Sequence, residues 1–389
     1  MSTIKVNNIV PPNVGEGVSI DGLQMPTSGA LSNRNLIING AMQVAQRGSS
    51  VAMAHDGILT AFTFDRFKAS LAAGELDGTL ENEYDDVNGV PGLPNSLKWT
   101  TGTAEATVAA ADLWYVSQYI EGLNCQMLKF GTSDAQEITL SFWVKCSIAG
   151  TYVFSIYRGH SSRNIGRTYT VNTADTWEYK TITFPADTTG VITANTSEGL
   201  RVNWQLMGGS NYTGTDNLTW GAYSSSRWSG DGIINNSVMT TAGATWQIAG
   251  VQLEVGSKAT PFEHESYGQT LAKCQRYFQK SYNIDVNPGT NAEPGAITHY
   301  GSTDNGGNIV FQTDFRCEMR ALPTIIWYNR FDGTQGTIQT ARSGSSASPS
   351  SFTYRNSTRG TCGYGVAGAS PASFVSAHVE AHYTASAEL

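Results

Sequence analysis

The sequence predicts an all-β protein: an antiparallel sandwich, one short linking helix, and a second, C-terminal β domain. Three observations carry this. Apolar residues alternate with polar ones in many short runs, as strands with one buried face require. Charged residues are only 14% of the chain, against about 25% in an average soluble domain. Glycine, with 41 copies, and Ser, Thr and Asn take their place, a composition suited to strands joined by tight turns. The third is a change of period beyond Pro261, where Tyr267, Leu271, Cys274 and Phe278 recur at helical spacing.

At 389 residues the chain has room for two cores. An apolar content of 40% with so little charge opposes disorder. The net charge of −8 gives no general attraction for phosphate backbones, so nucleic acid is not an expected partner. The opening MSTIKVNNIV lacks the apolar centre of a secretory signal. No run reaches the roughly 18 apolar residues of a membrane span, so no membrane insertion is expected. The five cysteines (Cys125, Cys146, Cys274, Cys317 and Cys362) form no CxxC pair. They read as buried free thiols rather than zinc ligands, and no cofactor is expected.

Taken in order, residues 1–35 hold turn formers such as Pro11, Pro12, Gly15 and Gly17 and too little apolar pattern for a core. They form an arm that packs on its own chain or docks on a neighbour. Residues 36–264 form the sandwich. Ile138, Leu140, Phe142 and Val144 face one way, and Thr139, Ser141, Trp143 and Lys145 the other. Tyr152, Phe154 and Ile156 repeat the pattern, as do Leu200, Val202, Trp204 and Leu206. We expect six to ten such strands, a count read from the alternating runs. In the run from Trp246 to Val255 the alternation changes phase at Gly250, where a residue without Cβ can form a bulge.

Residues 265–283 contain the linking helix, expected from Ser266 to Lys280 with Tyr267, Leu271, Cys274 and Phe278 buried as a joint between domains. Residues 284–389 form the second β domain. Ile309, Phe311, Phe315, Cys317 and Met319 alternate with polar neighbours, and Pro323 precedes a strand over Thr324–Tyr328. The Gly/Ser/Thr-rich stretch from Asp332 to Thr361 reads as exposed loops. A last strand carries Val375, Ala377, Val379, Ala381 and Tyr383 on one face.

Few residues point to chemistry. Gly363, Gly365 and Gly368 fit G-x-G-x-x-G, but a dinucleotide site needs a helix next, and Ser370-Pro371 follows, so a glycine turn is the better reading. His378, Glu380 and His382 share a strand face, with the two histidines about 13 Å apart at strand rise, too far to share a metal. They read as a solvated or subunit-facing polar stripe. Glu81, Glu83, Asp85 and Asp86 crowd one expected loop, where calcium or a glycosidase pair would need acids that face each other. The default there is a solvated turn.

Aromatic residues remain. Tyr212, Trp220, Tyr223 and Trp228 lie among small polar residues, with Arg227 beside the last. Rings among polar groups suit sugar faces, but they equally staple a long loop to a sandwich, and packing is the favoured reading. In the second domain Tyr354 and Arg355 pair a stacking ring with a planar cation on the Gly/Ser-rich stretch, which suits a surface glycan. The ligand-binding candidates are therefore Tyr354, Arg355, Tyr212, Trp220, Arg227 and Trp228. No catalytic or metal residue is assigned.

Several segments together resemble a family of bacteriophage tail-fibre and virion structural proteins. GVQLEVG, ATPFE and LAKCQRYFQKS form its central signature, preceded by NRNLIINGAMQVAQRG and FTFDRF. ITLSFWVKCSIAGTY, LMGGSNYTG, FRCEMRALPT and the terminal HYTASAEL extend the resemblance over roughly nine tenths of the chain. It implies a jelly roll similar to carbohydrate-binding modules and a homotrimer. It further implies a non-enzymatic fibre or spike, built into the virion after folding in bacterial cytoplasm. Residues 1–35 would hold other tail or capsid proteins, and residues 284–389 would face a host-surface glycan. Two alternatives stand beside it: a capsid-decorating or adaptor protein, and a polysaccharide depolymerase. Against the depolymerase stands the lack of an assignable carboxylate pair.

Overall fold

A computed structural model describes residues 33–389 apart from 58, 73, 215–218, 229–233, 302–308, 338, 343–344, 348–350, 355–357 and 368–376, together with the residue pairs 19–20 and 23–24. The arm expected over 1–35 and Arg355 thus lie largely or wholly outside the described residues. Contacts divide the chain into two units. The first holds Met1–Met42, Ser50–Phe62 and Phe67–Glu265, and the second holds Gln43–Ser49, Thr63–Arg66 and Ser266–Leu389. Every strand pair among the described residues is antiparallel.

In the first unit β1 (Ser19–Ile20) and β2 (Leu23–Gln24) pair with each other. The sandwich strands follow: β3 (Ser50–Ala54), β4 (Thr60–Phe62), β5 (Lys68–Ala72), β6 (Asp77–Tyr84), β7 (Asn95–Thr101), β8 (Leu113–Glu121) and β9 (Ile138–Cys146). Then come β10 (Gly150–Arg158), β11 (Arg163–Val171), β12 (Glu178–Phe184), β13 (Glu198–Gly208), β14 (Gly221–Ala222) and β15 (Thr245–Val255). They form a seven-stranded sheet, ordered β14-β11-β10-β13-β8-β5-β4, and a six-stranded sheet, ordered β12-β9-β15-β7-β6-β3. The chain crosses repeatedly from one sheet to the other, and the result is an antiparallel jelly-roll sandwich. These thirteen strands outnumber the six to ten alternating runs, in part because β4 and β14 are too short to show a period.

Aromatic rings from the two inner faces interlock. Trp99 of β7 meets Trp114 of β8 at 4.9 Å between centroids, and Trp114 meets Trp246 of β15 at 6.3 Å. Phe142 of β9 packs against Trp204 of β13 and Tyr169 of β11. The Trp246 indole N–H donates to the Tyr169 hydroxyl at 3.2 Å, so that large ring is buried with its donor satisfied. The phase change at Gly250 is a bulge: the β15–β9 register shifts between Ala249 and Gln252, and Gly250 has φ +57°. A Cβ there would lie 2.5 Å from Leu93 Cδ1, so the position requires glycine twice over.

Past Glu265 the second unit continues with the helix α1 (Tyr267–Gln275), capped by Ser266 and Gln269, each side chain bonding the other's backbone N–H. It is shorter than the helical spacing indicated. It ends at Gln275, and Phe278 belongs to the strand β16 (Phe278–Lys280). Cys274 and Phe278 are buried as expected, whereas Leu271 is half-buried and Tyr267 is 44% exposed. After β16 come β17 (Ile297–Gly301), β18 (Ile309–Asp314), β19 (Thr324–Asn329), β20 (Gln339–Arg342), β21 (Ser345–Ala347), β22 (Ser351–Tyr354), β23 (Thr361–Ala367) and β24 (Ala377–Ser386). β24 is the spine and pairs with β16, β17, β19 and β20, while β18, β23 and β22 form a separate small sheet. The stretch read as loops from Asp332 to Thr361 therefore holds three short strands, whose Ser and Thr content and shortness hide any alternation. The glycines at 363 and 365 lie inside β23 and not in a turn.

Phe315, Met319, Ile325, Trp327, Ala381, Tyr383, Ala385 and Ala387 form the core of this unit. Beside it the segments 43–49 and 63–66 contribute a charged knot. Arg47 Nη2 donates to Glu388 Oε1 at 2.8 Å, Arg66 pairs with the other oxygen of Glu388, and Arg66 stacks 3.5 Å over the Tyr277 ring. Burial pushes the Asp65 carboxyl up, against the pull of Arg47 and the Gln46 hydrogen bonds. At Glu388 burial is outweighed by Arg66 and Arg47, which hold the carboxyl below its ordinary range.

Candidate glycan-binding face

The outer face of the seven-stranded sheet is built by alternation. In β8 the side chains of Trp114, Val116 and Ile120 enter the core, so Tyr115, Ser117 and Tyr119 point outward. In β13, Leu200, Val202 and Trp204 are inward, and Arg201, Asn203 and Gln205 are outward. Register then assembles rungs. Tyr157 of β10 stands opposite Arg201, which stands opposite Tyr119; Ser155, Asn203 and Ser117 form the next rung, continued by Lys68 of β5.

Arg201 is the hub. Its Nη1 donates to the Tyr119 hydroxyl at 3.2 Å, and its guanidinium lies 4.8 Å from the Tyr157 ring centroid, 5.1 Å from Tyr119 and 5.9 Å from Trp228. Lys68 Nζ sits 5.4 Å over Tyr119, and Glu198 Oε1 lies 3.2 Å from Arg201 Nε. Burial pushes the Glu198 carboxyl up, against Arg201 and Lys68. The rim is aromatic: Tyr223 meets Tyr157 at 5.2 Å, and Trp228 meets Tyr115 at 5.6 Å and Tyr212 at 5.9 Å. Tyr223 is 45% exposed and offers its ring to solvent. Under the rim, Gln205 Nε2 and Asn203 Nδ2 both donate to Ser155 Oγ, at 2.7 and 3.3 Å. Among the described residues the amide oxygens of Asn203 and Gln205 and the Trp228 indole N–H have no hydrogen-bond partner. Leaving buried polar groups unpaired is costly, and an internal water satisfies such groups. Stacking rings, a planar cation and a carboxylate together match the two surfaces of a sugar, its apolar face and its hydroxyl edge.

The sequence candidates separate in this structure. Tyr212 and Trp228 belong to the cluster, although Trp228 is only 5% exposed and serves as its wall. Trp220 does not join them. Its indole N–H donates to the Pro185 carbonyl at 2.7 Å and its ring packs on Phe130, so it pins its loop to the sandwich. The Arg227 guanidinium bonds the Thr219 carbonyl and closes over the Gly221 backbone. Tyr354 ends β22 in the second unit. Tyr115, Tyr119, Tyr157, Arg201, Lys68 and Glu198 are the residues that sequence reading missed. A signal for them existed in LWYVSQYIE, where two tyrosines hold the outward phase of a strand.

The remaining groups are accounted for. Glu81 and Glu83 lie on β6, not on a loop, and clamp Lys98 Nζ at 3.2 and 2.8 Å. Asp85 Oδ1 accepts the N–H groups of Val87 and Asn88 and closes the turn after β6. His382 is not part of a solvated stripe. It is fully buried, stacked 3.7 Å from the Tyr282 ring, with Nε2 against the Ala292 carbonyl at 2.8 Å and Nδ1 against Ser281 Oγ at 3.0 Å. Glu380 pairs with Arg330. Cys125, Cys146 and Cys274 are buried free thiols, Cys317 is half-buried, and the Cys362 side chain lies outside the described residues. Burial pushes the Cys125 thiol up to about 12. Among the described residues no group of His, Cys, Asp or Glu could hold a metal, and no helix is long and apolar enough to cross a membrane.

No protein-family model matches the chain, and no curated protein matches it. Several solved structures are similar in part. The enzymatically active domain of bacteriophage CBA120 tailspike protein 4 is 9% identical with a TM-score of 0.29, over 57% of this chain and 21% of that one. The chain thus matches about a fifth of that domain's length. A putative sugar-binding protein from Bacteroides thetaiotaomicron is 14% identical with a TM-score of 0.30, over 57% of this chain and all of that one. A family 11 carbohydrate-binding module from Clostridium thermocellum, in complex with a mixed-linked tetrasaccharide, is 9% identical with a TM-score of 0.27, over 55% and 99%. At those identities and scores none of them assigns a ligand or an activity to this chain.

Proposed function

We propose that the chain is a non-enzymatic attachment protein of a bacteriophage particle that binds a host-surface glycan. The observation that carries the glycan part is the outward cluster of Tyr115, Tyr119, Tyr157, Tyr223 and Trp228 around Arg201. Rings stack on a pyranose face, and the arginine, Glu198 and Lys68 bond its hydroxyls. The virion part is supported by the sequence resemblance to tail-fibre proteins. In this reading three copies assemble, residues 1–35 hold a tail or capsid partner, and residues 284–389 point to the host, with Tyr354 and Arg355 as a further contact. Sedimentation should give three times 41.7 kDa, and a clean monomer at micromolar concentration defeats the trimer. Antibody labelling of intact virions should decorate the tail; label on the head replaces this role with capsid decoration. Release of reducing sugar from host polysaccharide by the pure protein overturns the non-enzymatic reading.

A further inference from the structure

We propose that the opposite face of the sandwich carries a second, independent site for a neutral glycan. On the six-stranded sheet, Trp143 and Lys145 are the outward residues of β9, and Tyr179 of β12 stands opposite Trp143 in register. The Trp143 and Tyr179 rings lie 5.3 Å apart, and Lys145 Nζ sits 5.3 Å from the Trp177 ring. Trp143 and Trp177 both pack against the buried cluster of Val90, Leu93 and Ala249. Tyr179 is 45% exposed, and Trp177 and Trp143 are half-buried. Among the described residues the Trp177 indole N–H has no acceptor.

The turn after β6 borders this platform. Asp85 is half-buried and within electrostatic reach of Lys145, and Val87 is 83% exposed. Three rings with one cation and one anion form a surface that is amphipathic and close to neutral. A stable protein partner needs roughly 800 Å² on each side, some 20–30 residues. Three rings and two charged side chains fit one or two sugar rings instead. A pyranose stacks on Tyr179 and Trp177, while Lys145 donates to a hydroxyl and Asp85 accepts from one. The absence of net local charge favours a neutral sugar over an acidic one. Because this platform and the Arg201 cluster lie on opposite faces of one sandwich, no single short sugar can occupy both.

The test is an array of immobilised neutral oligosaccharides (β-glucan, galactan and mannan), probed with the full chain and with Trp177→Ala, Tyr179→Ala, Trp177→Phe and Arg201→Gln. At least one oligosaccharide should bind the parent and bind the Trp177→Ala and Tyr179→Ala variants about tenfold more weakly, as removal of a stacking ring implies. Trp177→Phe, which keeps a ring, should recover most of that loss, and Arg201→Gln should leave it unchanged. Undiminished binding by Trp177→Ala and Tyr179→Ala with parental Tm overturns the second site. So does loss of all binding through Arg201→Gln alone, which leaves the first site standing. A parent that binds no neutral oligosaccharide overturns it as well.

Discussion

The Arg47 guanidinium meets the Glu388 carboxylate at 2.8 Å across 341 positions of sequence, and Arg66 holds the second oxygen of the same carboxylate. Arg66 is 2% exposed and carries Tyr277 on its face. One side chain near the last residue thus ties two early segments into the second unit. Glu388→Ala leaves a buried guanidinium without its carboxylate, which costs about 3–5 kcal/mol. Urea unfolding of the second unit should shift accordingly, with Glu388→Gln costing less. An unchanged midpoint means that the knot adds nothing to stability.

His382 makes the second unit acid-sensitive. Burial lowers its pKa below the ordinary value of about 6.5, so the folded state holds the ring neutral. The unfolded chain then binds more protons than the folded one between that value and the lower folded pKa. Stability is flat above about pH 6.5 and falls as pH drops through this window. Replacing His382 by Phe should flatten the profile over pH 5 to 7. A slope that persists in the variant assigns it to other groups.

Gly250 tests the bulge. Any L-residue at φ +57° is strained, and its Cβ would press on Leu93. Gly250→Ala should therefore destabilise the sandwich by about 1–3 kcal/mol in thermal or urea unfolding. A neutral effect would show that the backbone relaxes without cost.

What the sequence made legible followed physical periodicity. Phe142, Val144 and Trp204 declare their strands because alternation records one buried face, and the phase slip at Gly250 records the bulge itself. The strand from Ser351 to Tyr354 stayed hidden because four residues, two of them serine and threonine, carry no such contrast. The helix was drawn too long because Phe278 sits at helical spacing from Cys274, yet pairs opposite Ser386 in a strand. His382 read as a surface residue because nothing local announces Tyr282 stacked on it. The Arg201 cluster was half legible. Tyr212 and Trp228 stood out among polar neighbours, but Arg201 joins them only through the β13–β8 and β13–β10 registers. Those registers pair residues 82 and 44 positions away, Tyr119 and Tyr157, and no local pattern specifies them.

The central claim is glycan recognition by the Arg201 cluster, and calorimetric titration with polysaccharide purified from the host surface tests it most directly. Tyr223→Ala removes an exposed ring, and Arg201→Gln removes the hub cation. Each should weaken binding at least about tenfold, a loss typical of a central aromatic or arginine contact, while Tm stays at the parental value. Parental affinity in both folded variants would contradict the account.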